Sequence, residues 1–172
     1  MKKIICLLMS LMLLISLTAC GMGDAPTKES GGGTAVSTEK KETTFGINDA
    51  AVFKNLKFTA TEIKESSGEG FFVPEDGNVF VGIKFTVENI SDEEQSVSSL
   101  LLFEGYADDV KLSYSLSAVC AFDEGTLDGT IAAGKKLIGW YALEVPENWA
   151  TIELDVQADW MSNSSAKFVF TK

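Results

Sequence analysis

Apolar side chains recur at every second position through much of this chain. In the clearest example, 79–88, the odd positions are apolar, and the even positions from 82 onward carry glycine, lysine, threonine and glutamate. The segments 110–116 and 152–160 repeat the alternation. A period of two is typical of a half-buried β-strand, so we predict a strand in each segment. If the parity of 110–116 continues to residue 122, the Cys120 thiol is buried.

Other segments fit a strand less regularly. Residues 56–60 alternate until the phase breaks at 62–63, where we predict a β-bulge. The short apolar run 99–103 suits either a strand covered on both faces or a helical turn. Residues 137–145 are apolar at both parities, as expected of a central strand of a sandwich, and 168–170 supplies a last strand.

Turn-forming residues separate these segments at fairly even intervals. They fall at 66–68, 74–77, 89–94, 108–109, 123–125, 133–135, 146–148 and 162–165. Short strands at this spacing, with no long 3.6-residue periodicity, predict an all-β domain. The simplest architecture for it is an immunoglobulin-like antiparallel β-sandwich.

The N-terminus has the pattern of an export signal. Lys2 and Lys3 precede an apolar run over 4–17, which is shorter than the ~20 residues of a membrane span. The run ends in Leu-Thr-Ala19-Cys20, which resembles the lipobox of bacterial lipoproteins. That resemblance implies cleavage between Ala19 and Cys20 and lipid attachment to the Cys20 thiol. The alternative is an ordinary signal peptide that is cut nearby and leaves a freely secreted protein.

Composition divides the rest of the chain into a linker and a domain. We predict a signal peptide over 1–19, a lipidated N-terminus and flexible linker over 20–44, and the sandwich domain over 45–172. The linker has no aromatic residue and few apolar ones. It therefore cannot bury enough apolar surface to offset the conformational entropy lost on ordering. Its 24 residues from 21 to 44 would reach about 27 Å on average.

The domain is strongly acidic. Residues 45–172 hold nine lysines against 21 carboxylates, a formal charge of −12, and the chain contains no arginine. Such a domain is a poor match for nucleic acid, whose phosphates dominate affinity. It would also be repelled by an anionic bilayer. We therefore expect no nucleic-acid partner, and we expect the membrane to be contacted only through the N-terminal lipid.

Few residues point to catalysis or to a bound cofactor. The chain has no histidine, no Gly-x-Ser-x-Gly elbow, no phosphate-binding glycine loop and no Cys-x-x-Cys pair. Cys120 has no histidine to activate it and no second cysteine in the domain to pair with. We expect no catalytic residue, cofactor or metal, although paired carboxylates leave an envelope hydrolase as a third hypothesis.

Acidic clusters and tryptophans leave two binding hypotheses open. Calcium could be held by either of two clusters, but both lack the ordered oxygen ligands of a calcium loop, so we interpret them as solvated charge. The clusters are Asp92, Glu93 and Glu94, and Asp123, Glu124 and Asp128. A carbohydrate could stack on exposed indoles. Trp160 is in phase with the core, whereas Trp149 follows a turn and could be exposed, and Trp140 lies on one face of an apolar strand.

Three segments together resemble a known domain family. They are Val-Glu-Asn-Ile-Ser at 87–91, Gly-Lys-Lys-Leu-Ile-Gly-Trp at 134–140 and Glu-Val-Pro-Glu-Asn at 144–148. They look like the turns and strand ends of a domain common in Gram-positive lipoproteins, which is similar to the telokin-like, immunoprotective-extracellular β-sandwich. Ala133 departs from the pattern, which more often has proline there. The resemblance implies a fold and a surface location, and it implies no activity.

These observations favour a surface-anchored lipoprotein on the outer face of the cytoplasmic membrane of a Gram-positive bacterium. Its domain is expected to act as a non-catalytic binding or accessory module for another envelope protein. The net charge of −12 further suggests that the partner offers a basic patch. The alternative is a carbohydrate-binding module that uses Trp149 and Trp140. The sequence does not predict an oligomeric state.

Overall fold

A computed structural model of the protein describes residues 27–29, 43–122, 125–159 and 164–172. Its strands are β1 (Thr27–Glu29), β2 (Thr44–Phe45), β3 (Ala50–Val52), β4 (Leu56–Ser66), β5 (Asn78–Asn89), β6 (Gln95–Val97), β7 (Phe103–Ala107), β8 (Val110–Lys111), β9 (Gly129–Ile131), β10 (Lys136–Pro146), β11 (Thr151–Gln157) and β12 (Ser165–Thr171). Short helices α1 (Ser99–Leu102) and α2 (Leu116–Cys120) interrupt them. Within these ranges, no helix is long and apolar enough to cross a membrane.

The strands form two five-stranded sheets and one two-stranded ribbon. The first sheet has the order β1-β3-β4-β5-β10, the second has the order β2-β12-β11-β7-β8, and β6 pairs with β9. Strand pairs are antiparallel apart from the short parallel contact between β2 and β12. This arrangement confirms the predicted all-β, immunoglobulin-like antiparallel sandwich.

Aromatic rings from both sheets meet in the core. Phe85 of the first sheet contacts Phe103 and Phe168 of the second edge-to-face, with ring centroids 5.3 and 5.2 Å apart. Phe45 packs on Phe168 at 5.3 Å. Such ring pairs add about 0.5–1.5 kcal/mol each beyond the area they bury. The predicted odd positions of β5 face this core, and the register shift between Ala60 and Glu62 confirms the bulge.

Within the predicted linker, Thr27–Glu29 form β1, which pairs with Ala50–Val52 at the edge of the first sheet. An edge strand such as β3 presents unpaired backbone N–H and C=O groups, and β1 satisfies them. Residues 20–26 and 30–42 of the predicted linker lie outside the described residues.

The prediction of a strand over 110–116 is wrong beyond Lys111. The chain leaves the second sheet there and crosses to the outer face of the first sheet, where it forms α2. The Ser115 hydroxyl accepts a hydrogen bond from the Ala118 N–H at 3.2 Å and caps this helix. In a helix the buried positions are no longer alternate, so Ala118 and Val119 face inward and Cys120 is exposed. The expectation of a buried thiol is therefore wrong.

The same crossing explains why β10 is apolar on both faces. In the sheet order β10 ends the first sheet and is not central, so that part of the prediction is wrong. Its outer face is buried because α2 and Phe122 cover Trp140 and Ala142. The run 99–103 was predicted to be either a strand or a helical turn. It forms α1 and the first residue of β7.

Candidate functional site

Trp149 is buried, contrary to the expected exposure of a turn residue. Its side chain is 4% exposed, and its indole N–H donates a 2.8 Å hydrogen bond to the Glu65 carboxylate. The Lys172 ammonium lies 2.8 Å from the same carboxylate and 5.3 Å from the centre of the Trp149 ring. The hydrogen bonds from Lys172 and then from Trp149 lower the pKa of Glu65 below its ordinary value. This cluster closes the turn after β10 onto the end of β4.

Trp140 is also buried. Its indole is 5% exposed and stacks on the Phe122 ring at 5.1 Å, with the Lys84 ammonium 5.5 Å from the ring centre. Phe122 can approach because residue 82 is glycine. A Cβ on Gly82 would lie 2.7 Å from the Phe122 ring. Neither Trp140 nor Trp149 therefore presents a free face to a sugar.

Several residues of the sequence predictions lie outside the described residues. They are Ala19 and Cys20 of the lipobox, Trp160, and Asp123 and Glu124 of one acidic cluster. Lipid attachment at Cys20 stays a prediction. The structure does not bring Trp140 and Trp149 together, because they belong to separate clusters on the outer face of the first sheet and in the turn after β10.

Two described residues of the acidic clusters have structural roles, Asp128 through its side chain and Glu93 through its backbone. The Asp128 carboxylate accepts hydrogen bonds from the Ser99 N–H and hydroxyl at 2.9 Å each, which holds the start of α1. The Glu93 main-chain carbonyl accepts from the Asn89 side chain at 2.7 Å. In the part of the chain that the structure describes, no three histidine, cysteine or acidic residues converge on a metal-sized space.

Asn89, which belongs to the motif that resembles a lipoprotein domain, is a buried structural residue. Its side-chain amide donates to the Glu93 and Ile131 carbonyls at 2.7 and 2.9 Å, and its oxygen accepts from the Ser91 N–H and hydroxyl. Its backbone pairs with Gly134 and Lys135. The motif thus joins two turns at one end of the sandwich, and both polar atoms of the Asn89 side chain are bonded within the protein.

Among the described residues, the most exposed aromatic ring belongs to the connection between β4 and β5. Phe71 is 99% exposed, and Phe72 and Val73 beside it are also exposed. Glu69 and Phe72 exchange two backbone hydrogen bonds of 3.0 Å, which closes a two-residue turn with Gly70 and Phe71 at its apex. Gly70 has a φ of 62°, a left-handed value that glycine adopts without strain, and glycine is favoured at this position of a type II′ turn. We call residues 68–73 the hairpin tip.

The base of the hairpin tip is fixed to the sandwich. The Glu144 carboxylate of β10 accepts hydrogen bonds from the Glu75 N–H at 2.7 Å and from the Asn78 amide at 3.1 Å. The Glu147 N–H donates to the Gly77 carbonyl at 2.9 Å. These bonds fix the segment that follows the hairpin tip to the sandwich.

The surroundings of the hairpin tip are acidic. The segment 65–77 contains four carboxylates, at Glu65, Glu69, Glu75 and Asp76, and no lysine. This site was not predicted, although the sequence contains a pattern that indicates it. Three apolar residues stand between the turn signals at 66–68 and 74–77, in a segment too short to cross a sheet.

Comparison with known proteins supports the fold. The family described as a domain of unknown function, DUF4352, matches residues 45–167. No curated protein matches the chain.

Several solved structures have the same fold at low identity. ycdA of Bacillus subtilis, described as a candidate lipoprotein, has a TM-score of 0.58 and 17% identity over 77% of this chain and 39% of its own. The chain therefore spans well under half the length of that protein. An uncharacterized β-sandwich protein of Clostridium difficile has a TM-score of 0.50 and 16% identity, over 79% of this chain and 99% of its own. The secreted protein MPT63 of Mycobacterium tuberculosis has a TM-score of 0.52 and 14% identity, over 78% and 100%.

Proposed function

This chain belongs to the DUF4352 family, whose function is unknown, and we propose that it is an extracellular, non-catalytic binding module. In this proposal the domain docks a protein of the cell envelope through its hairpin tip. The observation that carries the proposal is the 99% exposure of Phe71 on a closed turn.

An exposed ring on a held turn suits protein recognition. Complete burial of a phenylalanine side chain is worth about 1.5–3 kcal/mol, and exposed Phe72 and Val73 enlarge the apolar surface. Buried aromatic anchors commonly dominate the energy of interfaces. Because the turn is already closed by two backbone hydrogen bonds, little conformational entropy is lost on binding.

The charge around the hairpin tip favours a basic protein partner. Glu69, Glu75 and Asp76 would face the rim of any pocket that receives Phe71. A rim of lysine or arginine would complement them, and the association would weaken as salt rises. The same carboxylates oppose insertion of the tip into an anionic bilayer.

We extend the proposal to location. A lipid on Cys20 would hold the domain at the outer face of the cytoplasmic membrane, where the tip can reach a neighbouring protein. The mass of membrane-extracted protein should correspond to a chain that begins at Cys20 and carries added acyl groups. An unmodified chain beginning elsewhere, recovered from the medium, would contradict the anchor.

The two alternatives lack a comparable observation. The carbohydrate hypothesis rests on Trp149 and Trp140, and both side chains are buried. For a hydrolase, two carboxylates should be free in one cleft, whereas the cavity between α1, β7, β8 and β10 has, among the described residues, Glu104 as its only lining carboxylate, paired with Lys111 at 3.1 Å.

Site-specific cross-linking tests the proposal. A photoreactive phenylalanine analogue at position 71 should give one or a few defined adducts in cells that express the full chain. Added wild-type protein should suppress these adducts, the F71S variant should not, and capture should fall as ionic strength rises. The same analogue at Leu116, which is 65% exposed on another face, serves as the control. Equal yields from both positions, or adducts that F71S suppresses equally well, would refute docking through the tip.

A further inference from the structure

A second site lies at the edge of the sandwich, away from the hairpin tip. A cavity of about 190 Å³ opens where α1, β7 and β8 approach β10. Its floor includes Phe103 and Tyr141, whose rings stack with centroids 4.9 Å apart. Leu100, Leu112 and Tyr114 also line it. Ser99, Glu104 and Lys111 line it as well, so the cavity combines apolar and aromatic groups with polar ones.

One polar atom of the floor, the Tyr141 hydroxyl, has no hydrogen-bond partner among the described residues. Tyr141 is 3% exposed, and no described residue forms a hydrogen bond with its hydroxyl. Yet every fully enclosed side-chain nitrogen or oxygen in the described part of the chain has a partner. The Tyr141 hydroxyl is consequently not enclosed, and the small exposure that Tyr141 retains opens onto the cavity it lines.

The ionisation of the groups around the cavity defines what it can bind. Burial, together with nearby Tyr114 and Glu104, raises the pKa of Tyr141 to about 12, so its hydroxyl stays protonated and can donate a hydrogen bond. Glu104 and Lys111 lie 3.1 Å apart and neutralise each other. A charged ligand would therefore find no unpaired opposite charge here.

We propose that this cavity binds an uncharged small molecule that has one ring and a carbonyl-type oxygen. The ring occupies the space between Leu100, Leu112 and the stacked pair, and the oxygen accepts a hydrogen bond from the Tyr141 hydroxyl. The size is adequate, because an engineered apolar cavity of about 150 Å³ in another protein binds benzene. A hydroxyl that opens onto the cavity and is bonded to no described residue favours a ligand with an acceptor over one without.

Two probes of the same shape test the proposal. Acetophenone has a ring and a carbonyl oxygen, and ethylbenzene has nearly the same outline without the oxygen. Each is titrated into the purified protein while the methyl resonances of Leu100 and Leu112 are followed by NMR. Acetophenone should bind roughly three- to tenfold more tightly, as expected for one neutral hydrogen bond.

Variants distinguish the contribution of the Tyr141 hydroxyl from that of the cavity volume. Tyr141→Phe should remove the preference for acetophenone, whereas Tyr106→Phe should retain it, because the Tyr106 hydroxyl is bonded to Glu104 and is not part of the lining. If Tyr141→Phe does not fold, Leu100→Trp at the exposed rim provides the second test and should abolish the response of Leu112 to both probes.

Three results would overturn the proposal. One is the absence of any methyl shift with acetophenone, and another is a preference for acetophenone that persists in Tyr141→Phe. The third is binding of methyl glucoside at these methyl groups without binding of acetophenone, which would indicate a sugar site.

Discussion

The turn at 146–149 and the hairpin tip each carry an aromatic residue, but the ring is buried in the first and exposed in the second. Trp149 is 4% exposed because its turn folds back onto β4 and the last residue of the chain, where Glu65 and Lys172 hold the indole. Phe71 is 99% exposed because it lies at the apex of a turn that the backbone hydrogen bonds between Glu69 and Phe72 close. An aromatic residue near a turn signal therefore has no fixed exposure, and the direction in which the turn leaves the sandwich decides it.

The largest effect should come from the buried member of this pair. Trp149→Ala removes a buried indole and leaves a cavity, so we expect a loss of about 3–5 kcal/mol in the free energy of unfolding. Urea denaturation followed by circular dichroism measures it. Trp149→Phe should lose less, because it keeps most of the ring volume. A loss below about 1 kcal/mol for Trp149→Ala would show that the turn does not depend on the indole.

The parts of the fold that could be predicted are those that the local sequence pattern determines. The alternation in 79–88 reports burial on one face of a strand, and the break at 62–63 reports a bulge, so both could be read directly from the sequence. The alternation in 110–116 has the same appearance, but it continues as a strand only to Lys111. The crossing to the other face of the first sheet places α2 over Trp140, and no local pattern encodes that tertiary contact.

The candidate sites were less predictable than the fold. The exposure of Trp149 was left open, because the sequence does not reveal that Glu65, 84 positions earlier, lies within hydrogen-bond distance. Phe71 was not identified, because an apolar residue between two turns fits a short strand as well as a tip. The cavity at Tyr141 depends on where the edges of two sheets separate, and such a gap leaves no trace in the spacing of residues.

A smaller effect should appear in the pH dependence of the Trp149 cluster. The pKa of Glu65 is lowered in the folded state, so its ionised form stabilises the protein at pH values above the ordinary value of 4.5. This contribution is lost as the pH falls through the lowered pKa. Because Glu65 and Lys172 are each 43% exposed, we expect only about 0.5 kcal/mol.

Comparing wild type with Glu65→Gln isolates this contribution, because glutamine keeps an acceptor for the Trp149 N–H. Urea denaturation at pH 7 should show Glu65→Gln to be slightly less stable, and the difference should shrink at an acidic pH well below 4.5. A difference that stays constant between the two pH values would mean that the carboxylate charge is not what Lys172 stabilises.

The smallest effect on stability should come from the exposed member of the pair. Phe71→Ser removes a ring that buries almost no surface in the folded protein, so the free energy of unfolding should change by less than about 0.5 kcal/mol. The backbone of the turn should be retained, because Gly70 supplies the left-handed residue and the two hydrogen bonds between Glu69 and Phe72 do not involve the ring. Urea denaturation measures the stability, and amide exchange at Phe72 reports whether the turn stays closed. If Phe71→Ser destabilised the domain as strongly as Trp149→Ala, the ring would have to pack on the sandwich, and the proposed docking surface would not exist. An unchanged stability together with lost cross-linking from the tip would assign Phe71 to binding alone.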